Sequence, residues 1–168
     1  MHVSERNRIM NELRRLVLAQ SDLAQAAAAA TALMNEHLNG DLCRALETAI
    51  VVCYVRPFTR ANNIKPLGEQ WYPELPSARA LHDLLMAMRD QVYAHNDRTE
   101  FRDIIDSGAS VGMPGIYSEQ WVPINREALP GMIQMFSDQQ LRMRTRSQEL
   151  QQKLRTTDPL SPPPFGET

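Results

Sequence analysis

The sequence holds no uncharged apolar run near the roughly 20 residues that span a bilayer, a pattern that argues against a membrane-spanning chain. Its first residues, Met1-His2-Val3-Ser4-Glu5-Arg6, mix acid and base without an apolar stretch, so no secretory signal is expected. Cysteine is scarce: only Cys43 and Cys53 occur, at a spacing that suits neither a zinc knuckle nor a disulfide framework, and a reducing cytoplasm is the simplest setting. Positive charge is not in excess. The net charge of −2 excludes the global basic field of a typical nucleic-acid binder. Lysine is nearly missing, since of 18 basic residues only Lys65 and Lys153 are not arginine. The phosphate-binding and nucleophile motifs GxxxxGK[ST], GxGxxG, HExxH and GxSxG are all absent, which leaves P-loop, Rossmann, zincin and hydrolase readings without support. His2, His37, His82 and His95 are scattered, with no pair at a metal-ligand spacing on one helix face, and no Glu-x-x-His occurs. No metal site and no cofactor are expected.

What remains is a chain of 168 residues, 43% hydrophobic and 23% charged, with room for one core. From Ser4 to Leu38 the residues Ile9, Leu13, Leu16, Gln20, Leu23, Ala27, Ala30, Met34 and His37 keep a 4-3-4-3 spacing, the seam of one long helix. Asn39-Gly40 is expected to stop it and Asp41 to cap the next, which runs to Val55 with a strand as the minority alternative. Pro57 ends that segment, and a loop follows from Phe58 to Pro76. Ser77 is the expected N-cap of a third helix with the seam Leu81, Leu85, Met88, Val92 and His95. Residues 98–124 read as an irregular insertion, with a small β-hairpin from strands near 104–105 and 116–122. A last helix starts near Asn125 or Pro130 and reaches Leu154 along Leu129, Ile133, Phe136, Gln140, Met143, Ser147, Leu150 and Leu154. Residues 156–168 are a Pro-rich tail expected to be disordered. The expectation is one all-α domain over residues 1–155, an antiparallel four-helix bundle with a long first helix. The seam of residues 9–37 is longer than the other helices are expected to cover, which favours a homodimer.

One segment carries more than packing. Arg89-Asp90-Gln91-Val92-Tyr93-Ala94-His95 follows the apolar stretch from Leu81 to Met88 and leads into Asn96-Asp97. It resembles the Arg-x(4–6)-His signature of the HEPN superfamily, and Ala-His-Asn-Asp is similar to the ending seen in its abortive-infection branches. The resemblance covers about 30 residues plus the helical layout of residues 4–154. It implies a small helical domain of four or five helices. Many members are metal-independent ribonucleases of toxin–antitoxin and phage-defence systems; others are inactive modules that bind RNA or a protein. By this resemblance His95 is the acid/base and Arg89 the phosphate ligand. An imidazole titrating near neutrality suits proton transfer at the attacking 2′-hydroxyl and the leaving oxygen. A guanidinium fork suits the charge that develops on phosphorus. Six residues apart on a straight helix, the two lie about 120° apart round the axis, and a dimer gathers two of each. Asp90, Tyr93, Asp97 and Arg56 complete the candidate set in supporting or substrate-binding roles, Arg56 because it stands between Tyr54 and Phe58 at the end of the second helix. Set against this, His95 continues a core seam and Arg56 is equally a loop tether. The expected partners are a second copy, RNA, or an antitoxin-like protein. A non-enzymatic module with the same fold is the alternative.

Overall fold

The computed structural model describes residues 3–35, 38, 40–60, 64–93 and 123–157. Among these the chain is all-α: α1 spans Val3–Asn35, α2 Gly40–Val55, α3 Pro76–Tyr93 and α4 Leu129–Thr157. Short 3-10 turns at Arg56–Phe58, Glu69–Trp71 and Arg126–Ala128 join or precede them. No strand is present among the described residues, and the expected hairpin at 98–124 lies outside them but for its last two residues.

The helix ends show local chemistry at work. Gly40, expected as a stop signal, is instead the first residue of α2, and Asp41 sits in its first turn, where a carboxylate meets the positive end of the helix dipole. Pro76 rather than Ser77 opens α3. Its ring fixes a helical φ and its missing N–H is not needed in the first turn. Leu75 takes the cap position, its carbonyl accepting from the Arg79 amide at 2.8 Å. Pro57 does not stop α2 abruptly; the backbone tightens into the Arg56–Phe58 turn with the proline near its start. Asn125 caps the last turn-and-helix, its side chain accepting from the Glu127 amide at 3.0 Å, and Pro130 falls in the first turn of α4. That helix continues through Thr157, past the expected boundary. The residue that proline restricts is the one before it, Asp158, so Thr156 and Thr157 stay helical. The rest of the tail, 158–168, lies outside the described residues.

α1 is the spine. It packs on both α2 and α4, and α3 closes the arrangement by packing on α2 and α4. α1 and α4 run antiparallel, since Glu12 meets Arg146 and the Gln20 carbonyl accepts from Gln140. α1 and α2 do too, since Asp22 meets Arg56 and Gln25 meets Cys53. All four helices contribute to one core, which includes Leu13, Leu16, Leu23, Ile50, Leu85 and Phe136.

The seam of α1 is wider than its spacing indicates. Ile9, Leu13, Leu16, Leu23 and Ala30 are buried as expected, but so are Ala19, Asp22, Ala26, Ala29 and Leu33, while Met34 is exposed. The second stripe faces α2, whose approach the small alanines permit. A helix covered by two neighbours buries more than one heptad-like line. The long seam therefore finds cover within the same chain: α1 packs along the 29-residue α4 and is buried on its core side from Ile9 to Leu33. By length and composition Glu5–Met34 is long and apolar enough to cross a membrane, which the search for an uncharged run passed over. Here Leu16, Leu23, Ala26 and Ala30 are buried among the other helices.

Candidate functional site

Arg89 stands in the last turns of α3 and is half-buried. Asp90 and Tyr93 continue the same helix; their side chains, together with His95 and Asp97, lie outside the described residues. The direction of α3 is fixed by its packing. Ala78 shares a small cavity with Met135 and Gln139, and further along Leu81 meets Gly131, where an added Cβ would stand 3.2 Å from the Leu81 Cδ1. α3 therefore runs antiparallel to α4. Its Arg89 end points to where α4 begins, roughly 25 Å from Arg146 at 1.5 Å per residue.

Arg56 does not join that end. Its Nη1 donates to the Asp22 Oδ1 at 2.7 Å, tying the close of α2 to the middle of α1. Half of the Arg56 side chain is exposed, while Asp22 is largely buried. Burial raises the Asp22 pKa above the ordinary carboxylate value, and the Arg56 guanidinium partly offsets this. The tether reading of Arg56 is the one its contacts support. Cys53, beside the same pair, has its thiol pushed up by burial, which argues against a reactive thiolate there.

The sequence reading gave no role to His82, yet it sits within a buried cluster of aromatic rings. The Tyr54 hydroxyl and the His82 Nδ1 share a buried hydrogen bond of 2.7 Å. Phe58, Tyr72 and Phe136 surround the pair, with ring centroids 4.9 Å apart for Tyr54 and Phe136 and 4.3 Å for Tyr72 and His82. The Arg79 guanidinium lies 4.7 Å over the Tyr72 ring, a cation–π contact. Burial lowers the His82 pKa from its usual 6.5 and pushes the Tyr54 phenol well above its ordinary value. A neutral imidazole, 2% exposed, cannot reach a substrate. The cluster locks the α2–α3 corner. The signal that could have found it is the stripe Ala78, His82, Leu85, which places His82 on the inward face of α3.

The arginines at 142, 144 and 146 of α4 divide between pairing and exposure. Arg142 donates to the carbonyls of Tyr72 at 3.1 Å and Gln70 at 2.9 Å and pairs with Glu74. Arg146 bridges Glu12 and Glu149. Only Arg144 stays on the exposed face. Trp71 is half-buried against the core and its carbonyl accepts from the Gln139 Nε2 at 3.1 Å, so it pins its loop to the bundle. Among the described residues no group of three His, Cys, Asp or Glu could hold a metal ion. No family model, curated protein or solved structure matches the chain.

Proposed function

We propose that this is a helical protein of HEPN type, an antiparallel four-helix bundle whose Arg89-x5-His95 segment cleaves RNA without a metal. The observation that carries the reading is the placement of that segment. Arg89 stands in the last turns of an amphipathic helix, in a chain that is all-α among the described residues, and His95 follows it by six positions. RNA supplies its own nucleophile, the 2′-hydroxyl. His95 takes its proton and returns one to the leaving 5′-oxygen. Arg89 holds the charge of the pentacoordinate phosphorane. Asp90, Tyr93 and Asp97 orient the pair or the strand. A second copy, facing the first at this end, doubles the set, and a toxin–antitoxin or phage-defence setting in the cytoplasm fits a small nuclease held in check by a partner protein.

The test is cleavage of a labelled mixed RNA by the purified protein in EDTA, with the variant His95→Ala beside it and its fold verified by circular dichroism. Cleavage by the wild type and a loss of ~100-fold or more in the variant is expected, in line with the usual worth of a general acid–base. Equal cleavage by both, or none by either, would overturn the ribonuclease reading; none by either leaves an inactive module of the same fold that binds RNA or a partner protein.

A further inference from the structure

α1 carries, beside its core seam, two further stripes at helical spacing: Asn7, Asn11, Arg14 and Leu18, and next to it Arg8, Glu12 and Arg15. The loop 64–71 runs alongside. The Arg15 Nη2 donates to the Pro66 carbonyl at 2.6 Å and holds the loop at a fixed distance. Between helix and loop lies a groove of about 910 Å³. Its charge is one-sided. Arg8, Arg14, Arg15 and Lys65 line it, against the single carboxylate of Glu12, which is engaged by Arg146 at 2.9 Å. Among the described residues the side chains of Arg8, Arg14 and Lys65 have no ion-pair partner, and the Arg15 Nε is buried without one. Trp71 forms part of the same wall. In a chain whose net charge is −2, four cations gathered around one groove are a local exception. Like charges held together repel, and a polyanion relieves that repulsion.

We infer that this groove binds a single strand of nucleic acid. The cations take phosphates, the Trp71 ring offers a surface for a base, and the Asn7 and Asn11 amides can meet base edges or riboses. From residue 7 to residue 18 the wall extends about 17 Å, enough for a few nucleotides. It lies at the end of α1 and α4 away from Arg89, so the inference goes beyond the ribonuclease reading and does not rest on it.

The experiment uses the full chain and a labelled 2′-O-methyl oligouridine, which cannot be cleaved through a 2′-hydroxyl. Binding is followed by fluorescence anisotropy over a salt series, and by Trp71 emission in a Trp121→Phe background. Expected are salt-weakened binding and quenching of Trp71. The combined variant Arg8→Gln, Arg14→Gln, Lys65→Gln should bind at least ~10-fold more weakly, with a log–log salt slope shallower by about 2, from ~0.7 per lost phosphate contact on a single strand. Arg144→Gln, which removes an exposed cation of α4 outside the groove lining, should bind as the wild type does. The inference is overturned if the triple variant binds unchanged, if Trp71 emission does not respond, if Arg144→Gln loses binding equally, or if poly-glutamate binds as tightly as the oligonucleotide, which would make the groove a dock for an acidic protein. Because the probe resists cleavage, an inactive protein with a working groove, or the reverse, is read separately.

Discussion

The α2–α3 corner and the groove beside α1 flank the same connecting stretch, residues 59–75, yet treat polar groups in opposite ways. At the corner, Tyr54 and His82 are buried and satisfied by each other, and three further rings close round them. In the groove, Arg8, Arg14 and Lys65 are exposed and without ion-pair partners among the described residues. The corner has the residue types that a search for catalytic groups would select, a histidine, a tyrosine and perturbed pKa values, and its chemistry is spent on holding the fold. The groove has charge left uncompensated. Perturbed titration marks burial as readily as it marks function; unpaired charge held in a concave site is the feature that still asks for a partner.

The sharpest way to break the comparison is to hollow out the corner. Phe136 is fully buried and stacks beside Tyr54 at 4.9 Å. Phe136→Ala should cost about 3–5 kcal/mol, the usual loss for a large ring in a core, read as a shift of the urea midpoint at unchanged slope. A loss below ~1 kcal/mol would show that the rings do not form a close-packed corner.

A smaller effect probes the corner by pH. His82 is neutral when folded because burial lowers its pKa below 6.5. The unfolded chain still protonates near 6.5, so below that value it binds a proton that the folded chain does not. Stability is complete above about pH 6.5 and falls as the pH drops through that value toward the folded pKa. Thermal unfolding between pH 8 and pH 5 should show this decline, and His82→Gln should flatten it while lowering stability at neutral pH through the lost Tyr54 bond. An equal slope in wild type and variant would assign the pH dependence elsewhere.

Much of the helical framework was legible, for a physical reason. Helical periodicity is local, and Leu85, Met88, Leu129, Phe136, Met143 and Leu150 are buried where their spacing places them. Even the polar members of the seams found partners. Gln20, Gln140 and Ser147 meet across α1 and α4, the Gln20 Nε2 donating to the Ser147 Oγ at 3.0 Å and the Gln140 Nε2 to the Gln20 carbonyl at 3.0 Å. What the sequence did not disclose is long-range. Asp22 and Arg56 are 34 positions apart, and nothing in either neighbourhood announces the other. The stripe 7-11-14-18 is visible in the spacing, but only the fold sets loop 64–71 against it. Of the expected site, Arg89 is half-buried on α3, Arg56 is a tether, and His95 and Asp97 fall outside the described residues.

The smallest expected effect is the most discriminating. Removing charge from the groove by Arg8→Gln, Arg14→Gln and Lys65→Gln should leave stability within about 0.5 kcal/mol of wild type, because surface side chains without partners contribute little to folding. The sign matters more than the size. If the cations only repel one another, the variant is slightly more stable at low salt, and the gain fades as salt screens the wild-type repulsion. If instead they support the fold, the variant is less stable by 1 kcal/mol or more at every salt concentration, and the groove then belongs with the corner as structure. Urea unfolding in low and high salt decides between them. A protein that keeps mutually repelling charges at no benefit to its own stability keeps them for something that binds there.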